Sequence, residues 1–166
     1  MDEIDLALQI IEYFEGFSST PYKDTEGIWT IGKGTTIYPK TERAVTATDP
    51  SITEAQADQL LIDHINKYCL PGLSKLPGWQ RMKPCQKACL ISFSYNTGFD
   101  SVGTRNFDSL DYAIEKAPWK VPKVLMLYTN KQTYGLVRRR YLEGLVWMET
   151  PFNYAKHKMD LNYPLN

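Results

Sequence analysis

Long apolar runs are missing from this chain. No stretch approaches the roughly 18 residues that a membrane-spanning helix needs, so no stable membrane insertion is expected. The N-terminal MDEIDLALQI is acidic and lacks the basic start of a secretory signal, so synthesis and folding in a cytoplasm are expected. Cysteine is scarce. Cys69, Cys85 and Cys89 make an odd count, which without an export signal points to reduced thiols. With His64 they could be imagined as a metal site. Tetrahedral sites use tighter paired spacings, so small buried hydrophobes are the better reading and no metal is expected. Gly32-Lys33-Gly34 lacks the third glycine of a dinucleotide fingerprint and the Lys-Ser/Thr of a phosphate loop, and no cofactor is expected. Lys and Arg are too sparse, and too little interleaved with aromatics, for a nucleic-acid surface. There is no internal repeat and no low-complexity segment.

What is present suits one globular domain over residues 1–166. That length can bury a substantial core without staples. The balance of 43% hydrophobic and 23% charged residues is ordinary for such a fold. Formal net charge is zero, yet residues 1–66 carry 12 Asp/Glu and 4 Lys/Arg, and the remainder 7 and 15, a net of −8 against +8. Attraction between the halves is the plain explanation. The alternative is that the basic half meets an anionic partner such as a cell wall. Nothing encodes self-association, so a monomer is the default.

Local signals mark mostly helix, with one small sheet near the front. Asp2 caps a helix over 2–15, in which Ile4, Ala7, Leu8, Ile11 and Phe14 keep helical spacing, and Gly16 stops it. Tyr22-Lys23 and Ile28–Ile31 are strand-like runs around the reverse turn Asp24-Thr25-Glu26-Gly27. Residues 37–51 read as a loop. Thr53 and Gln56 form a capping box for a helix through about Tyr68, carrying Ala57, Leu60, Leu61, His64 and Ile65 on one side. His64 there reads as structural. Pro71-Gly72 and Pro77-Gly78 bracket a linker. Pro84 starts a helix that buries Cys85, Ala88, Cys89, Ile91, Ser92 and Tyr95 and ends at Asn96-Thr97-Gly98. After a loop over 99–106, Asp108 caps a short helix, and Val121–Tyr128 forms another. Gly135 precedes a last strong helix over 136–148, and the tail from Pro151 shows no period.

The chemistry concentrates in Glu15–Thr36. Glu15 lies in the last turn of the first helix. The negative end of the dipole there, together with Phe14 and Phe17, disfavours an ionised carboxylate, as a general acid requires. Asp24, among Lys23, Thr25 and Glu26, sits in a polar turn that keeps a carboxylate charged. Two carboxyl groups in unlike surroundings suit a bond that must be both protonated and attacked, and a glycosidic bond is one. Thr30 can hold a water, since a hydroxyl both donates and accepts. The bland alternative makes Glu15 a helix-end surface residue and Asp24 a turn-former. Gly32 permits a tight bend and close approach of a ligand to the backbone.

This stretch resembles the active-site segment of the phage-type lysozymes, glycoside hydrolase family 24. Their pattern is Glu-Gly at a helix end, then Tyr-x-Asp, then Gly-x-x-Thr-Ile/Val-Gly-x-Gly. Here it reads Glu15-Gly16, Tyr22-Lys23-Asp24 and Gly27-Ile28-Trp29-Thr30-Ile31-Gly32-Lys33-Gly34 without a gap. The resemblance continues in Ile52–Leu61, in Ala88–Gly98 (ACLISFSYNTG) and in Gly135–Arg140 with Glu143, and it covers roughly residues 4–149. It implies an α+β, two-lobed lysozyme-like fold. A small antiparallel sheet lobe would span about 16–51, and a helical lobe about 69–166 plus the first helix. It also implies hydrolysis of the β-1,4 bond between N-acetylmuramic acid and N-acetylglucosamine in peptidoglycan, with inversion. Glu15 would be the general acid, Asp24 the residue that positions water, Thr30 its assistant, and Gly32 and Asn96 substrate-binding residues. Arg138–Arg140 would either pair with the acidic front half or meet stem-peptide carboxylates. The implied role is that of an endolysin made in the host cytoplasm and released to the wall through a separate holin. Two rivals remain. A lytic transglycosylase needs no water-activating carboxylate, and Asp24 and Thr30 argue against it. A non-catalytic wall-binding module would keep the fold alone.

Overall fold

The computed structural model describes residues 2–98 and 107–165; the loop expected over 99–106 lies outside them. Helix α1 (Glu3–Glu15) starts where the Asp2 side chain accepts from the Asp5 N–H at 2.8 Å. Glu3 and Asp5 in its first turn complement the dipole. It ends at Gly16, whose φ of 68° no β-carbon has to share. Ala7, Ile10 and Ile11 are its fully buried residues. Strands β1 (Ser18–Lys23) and β2 (Trp29–Gly32) form one antiparallel pair, with Tyr22 opposite Thr30 and Lys23 opposite Trp29. Pro21 falls inside β1. A two-stranded sheet is all edge, so the missing N–H costs no ladder bond on the open side.

Helix α2 (Glu54–His64) has the expected capping box between Thr53 and Gln56. The linker expected between Pro71 and Gly78 begins as helix, and only 74–78 are turn. A π-helical turn (Ile65–Cys69) leads directly into α3 (Leu70–Leu73). Pro71 stands at the start of α3, where a missing N–H is tolerated, and buried Leu73 and Leu76 hold the segment to the core.

Helix α4 (Pro84–Thr97) is the hub. Every residue from Ala88 to Ser94 is buried, as befits a helix surrounded by others. It packs against α1, α3, the π-helical turn and α7 (Tyr134–Trp147). Between α4 and α7 lie α5 (Asp108–Lys116), a 3-10 turn (Pro118–Lys120) and α6 (Val121–Leu125), which is shorter than expected. Asp108 does not cap α5. Phe107 holds that position with no side-chain bond, and Asp108 is the first helical residue. Gly135 lies within α7, and α7 is not the last helix. The tail folds as α8 (Phe152–Asn162), whose fully buried anchors are Ala155 and Met159, too few to show a period.

One apolar cluster runs from α1 through α8, and Ile31, Val45 and Ala57 are buried outside it. Among the described residues three ion pairs join the acidic front to the basic remainder: Glu3–Lys87 at 3.2 Å, Glu42–Lys67 at 2.6 Å and Glu15–Arg139 at 2.6 Å. Cys69 and Cys89 are buried and Cys85 half-buried, all as free thiols. Burial raises the pKa of each, so none is an activated nucleophile.

His64 sits edge-on to the rings of Tyr68 and Tyr95, each 4.9 Å away. Burial lowers its pKa from 6.5 to about 4. A base held neutral in the folded chain stabilises it fully above pH 6.5, and that stability is lost as pH falls towards 4. The expected loss is on the order of 3 kcal/mol across that window. Urea unfolding of wild type and His64→Phe at both ends of the window checks this. The variant's stability should change less with pH, and equal slopes would contradict the assignment.

Candidate active site

Glu15 ends α1, and its position is set by a cation from the far end of the chain. Arg139 Nη1 donates to Glu15 Oε1 at 2.6 Å. The same guanidinium donates through Nε to Glu143 Oε1 at 3.3 Å, and through Nη2 to the carbonyl and hydroxyl oxygens of Ser92 at 3.2 and 3.3 Å. Ser92 Oγ donates to Glu143 Oε1 at 2.7 Å. Glu143, fully buried, also accepts from Arg140 Nη1, and Arg140 Nη2 donates to Asn96 Oδ1. A continuous polar chain thus runs from Glu15 through Arg139, Glu143 and Arg140 to Asn96. All three arginines are buried. Arg138 serves α8, donating to Asp160 Oδ1 at 2.7 Å and to Tyr13 Oη at 3.0 Å. The sequence reading weighed only the helix end and the rings around Glu15 and missed this cation. Arg139 to Glu143 is an i, i+4 spacing, the one local signal that could have suggested the pair.

Asp24 is held by its own turn. Its Oδ1 accepts from the N–H groups of Glu26 and Ile28, each at 2.9 Å, while its own N–H donates to the Ile28 carbonyl at 3.0 Å. Thr30, on β2, is 3% exposed, and its Oγ1 donates to the Ile28 carbonyl at 3.1 Å. That commits the hydroxyl hydrogen and leaves its lone pairs as acceptors. Opposite Thr30 in the sheet stands Tyr22. Burial raises its pKa, and the charges of both Glu15 and Asp24 raise it further. Glu15 and Asp24 therefore both lie within electrostatic reach of this one phenol.

The Gly32–Gly34 bend closes the arrangement. Gly32 has φ 66°, and a β-carbon there would stand 3.1 Å from Ala57 Cβ and 3.2 Å from Ile52 Cδ1, so it packs against α2. Gly34 is the glycine that lies against Glu15. A β-carbon on it would meet Tyr95 Oη at 3.0 Å and Glu15 Oε2 at 3.4 Å, at φ 91°. Tyr95 Oη donates to the Lys33 carbonyl at 2.9 Å. Burial, then the charge of Glu15, pushes the Tyr95 pKa up, so it acts as a fixed donor. The Lys33 side chain turns inward and is 2% exposed. Its Nζ faces Asp58 at 2.6 Å, Glu12 at 3.2 Å and Glu54 at 3.8 Å, which fastens the bend to α1 and α2. Burial opposes its charge, but the hydrogen bonds to Asp58 and Glu12 prevail and its pKa is raised. Among the described residues no three His, Cys, Asp or Glu side chains gather as a metal site, and no helix is long and apolar enough to cross a membrane.

A family model described as phage lysozyme matches residues 12–143 of the chain. The chain belongs to the phage lysozyme family. It is a glycoside hydrolase that cleaves peptidoglycan. Solved structures agree on the fold. An endolysin from Escherichia coli O157:H7 phage FAHEc1 is 24% identical, with 92% of this chain and 96% of that chain covered and a TM-score of 0.73. The active form of P1 phage endolysin Lyz is 19% identical over 87% and 83%, with a TM-score of 0.69. The muramidase domain of SpmX from Asticaccaulis excentricus is 23% identical over 87% and 95%, with a TM-score of 0.62. No curated protein matches the chain.

Two substitutions probe this lysozyme site. Glu143→Ala leaves two buried guanidinium groups short of their anion and should cost about 3–5 kcal/mol in urea unfolding. A loss below about 1 kcal/mol would place those charges in contact with water instead. Gly34→Ala should leave the protein folded but lower turnover of peptidoglycan by about 10²-fold, because it displaces the acid and the bend together. Wild-type turnover would show that the bend is loose.

Proposed function

We propose that the chain is a muramidase of the endolysin type, hydrolysing the β-1,4 bond between N-acetylmuramic acid and N-acetylglucosamine. The observation that carries this reading is the pair of differently held carboxyl groups, Glu15 and Asp24, both within electrostatic reach of Tyr22. Glu15 donates the proton to the leaving glycosidic oxygen, with Arg139 fixing its Oε1 so that the other oxygen faces the sugar. Asp24, gripped at Oδ1 by two backbone N–H groups, takes the proton of the attacking water through Oδ2. Thr30 assists by accepting a hydrogen from that water. Water attacks directly, so the anomeric carbon inverts.

A saccharide meets Asn96 through its amide N–H2, since its Oδ1 is taken by Arg140. Gly32 contributes the bend of the cleft wall more than a contact of its own. The cleft lies between a sheet lobe over about 16–51 and a helical lobe made of residues 69–166 with the first helix. The protein works as a monomer. It is made in the host cytoplasm and reaches the wall through a pore formed by a separate holin, to release phage by lysis.

Turnover of purified peptidoglycan is the test. Glu15→Gln and Asp24→Asn should each abolish it with the melting transition retained, and the wild type should leave reducing ends of inverted configuration. Near-wild-type turnover by folded Glu15→Gln would refute the acid assignment. Release of 1,6-anhydro ends would replace hydrolysis by transglycosylation.

A further inference from the structure

Far from the carboxyl pair in sequence, the corner made by α5, the 3-10 turn and α6 exposes what a folded chain normally hides. Trp119 is 68% exposed, Leu127 68% and Tyr112 64%. Single exposed apolar side chains are common, but a group of three large ones on adjoining elements is not. Trp119 is on the 3-10 turn, which runs directly into α6, and both pack against α5, which carries Tyr112. Trp119 precedes α6, Lys123 lies on it and Leu127 follows it in the next turn, and all three are exposed.

The segment after α5 carries charge of one sign, while α5 itself carries Asp108, Asp111 and Glu115. From Lys116 to Leu142 the chain has no acidic residue, and Lys116, Lys120, Lys123 and Lys131 are exposed. The acids of α5 point to other work. Asp108 and Asp111 lie beside Tyr128, where after burial they raise the phenol pKa, and Glu115 pairs with Lys116 at 2.5 Å. Lys120 and Lys123 have no acid on their own element. A cavity of about 440 Å³ adjoins the corner, lined by Met82, Ile114, Pro118 and Trp147 and by the charged Arg81, Glu115 and Lys116.

We propose that this corner is a docking surface for bilayers rich in anionic phospholipid. Trp119 and Leu127 enter the interface, and Lys120 and Lys123 meet headgroup phosphates. An indole with one wet and one apolar side belongs at that depth, and lysines with long apolar stems reach from it to the phosphates. Trp119, Lys120, Lys123 and Leu127 are not among the residues that hold Glu15 and Asp24; the nearest link is Tyr128, beside Leu127, whose carbonyl accepts from Arg140.

The experiment is cosedimentation of the full chain with vesicles of phosphatidylcholine alone, and with vesicles of equal parts phosphatidylcholine and phosphatidylglycerol. Binding is expected to the mixed vesicles only, falling as salt rises. Lys120→Ser and Lys123→Ser should each weaken it about fivefold. Trp119→Phe should remove the blue shift of tryptophan emission that accompanies binding. Turnover of purified peptidoglycan by every variant should equal wild type, which also verifies folding. If a variant loses turnover, the salt dependence and emission shift of the wild type decide the matter alone. Absence of binding to mixed vesicles would overturn the proposal. So would equal binding to both vesicle types, binding indifferent to the three substitutions, or retention on insoluble anionic wall polymer without vesicle binding.

Discussion

A single guanidinium holds the protein's two ends in register. Arg139 reaches from α7 to the last residue of α1 and at the same time to Glu143 one turn along its own helix. Two anions and one cation would be unbalanced in a buried site. Arg140 on the other side of Glu143 restores the balance, and Asn96 and the Tyr128 carbonyl take up donors of that second arginine. Buried charges survive only when paired and hydrogen-bonded. The packing of α1, α4 and α7 around this chain is therefore a condition of its existence. The Glu15 carboxyl group inherits a position set by helix packing rather than by a flexible loop.

The sheet side is tied by different means. Asp24 depends on its own turn, where two amides fix one oxygen. The bend after β2 depends on Lys33, buried among carboxylates of α1 and α2, and on Tyr95 binding its carbonyl. A lysine buried in this way depends on Asp58 and Glu12, because its own charge would otherwise be unpaired inside the fold. Gly34 is then small out of necessity, since Glu15 and Tyr95 occupy the space a side chain would need. Acid, bend and sheet are three parts held by two polar knots.

What the sequence made legible was what is local. The Asp2 cap, the capping box at Thr53, the strand-turn-strand around Asp24 and the ordered motifs of the lysozyme family are all contained within short windows. What it concealed was what depends on distance. Glu15 and Arg139 are 124 positions apart, and no periodicity connects them. Lys33 looks like the variable residue between two glycines until α1 and α2 close on it. Helix α8 has two fully buried residues and a long-range bond from Arg138 to Asp160, so its stability comes from its docking and leaves little pattern in its own composition.

The π-helical turn after α2 answers a question of phase. Ala57, Leu61, Ile65, Cys69 and Leu73 are all buried, at strict intervals of four. On a regular α-helix each interval of four overshoots a full turn by about 40°, so five such residues would wind around to the far side. The wider π-helical turn at Ile65–Cys69 takes in one extra residue, which removes about 100° of that drift and leaves the five within about a quarter turn. One stripe thereby faces the core through α2, the π-helical turn and α3. Deleting one residue between Ile65 and Cys69 would let a regular α-helix carry the same stripe, so the extra residue and the π-helical turn compensate each other. In this chain the irregular turn is what keeps the stripe straight.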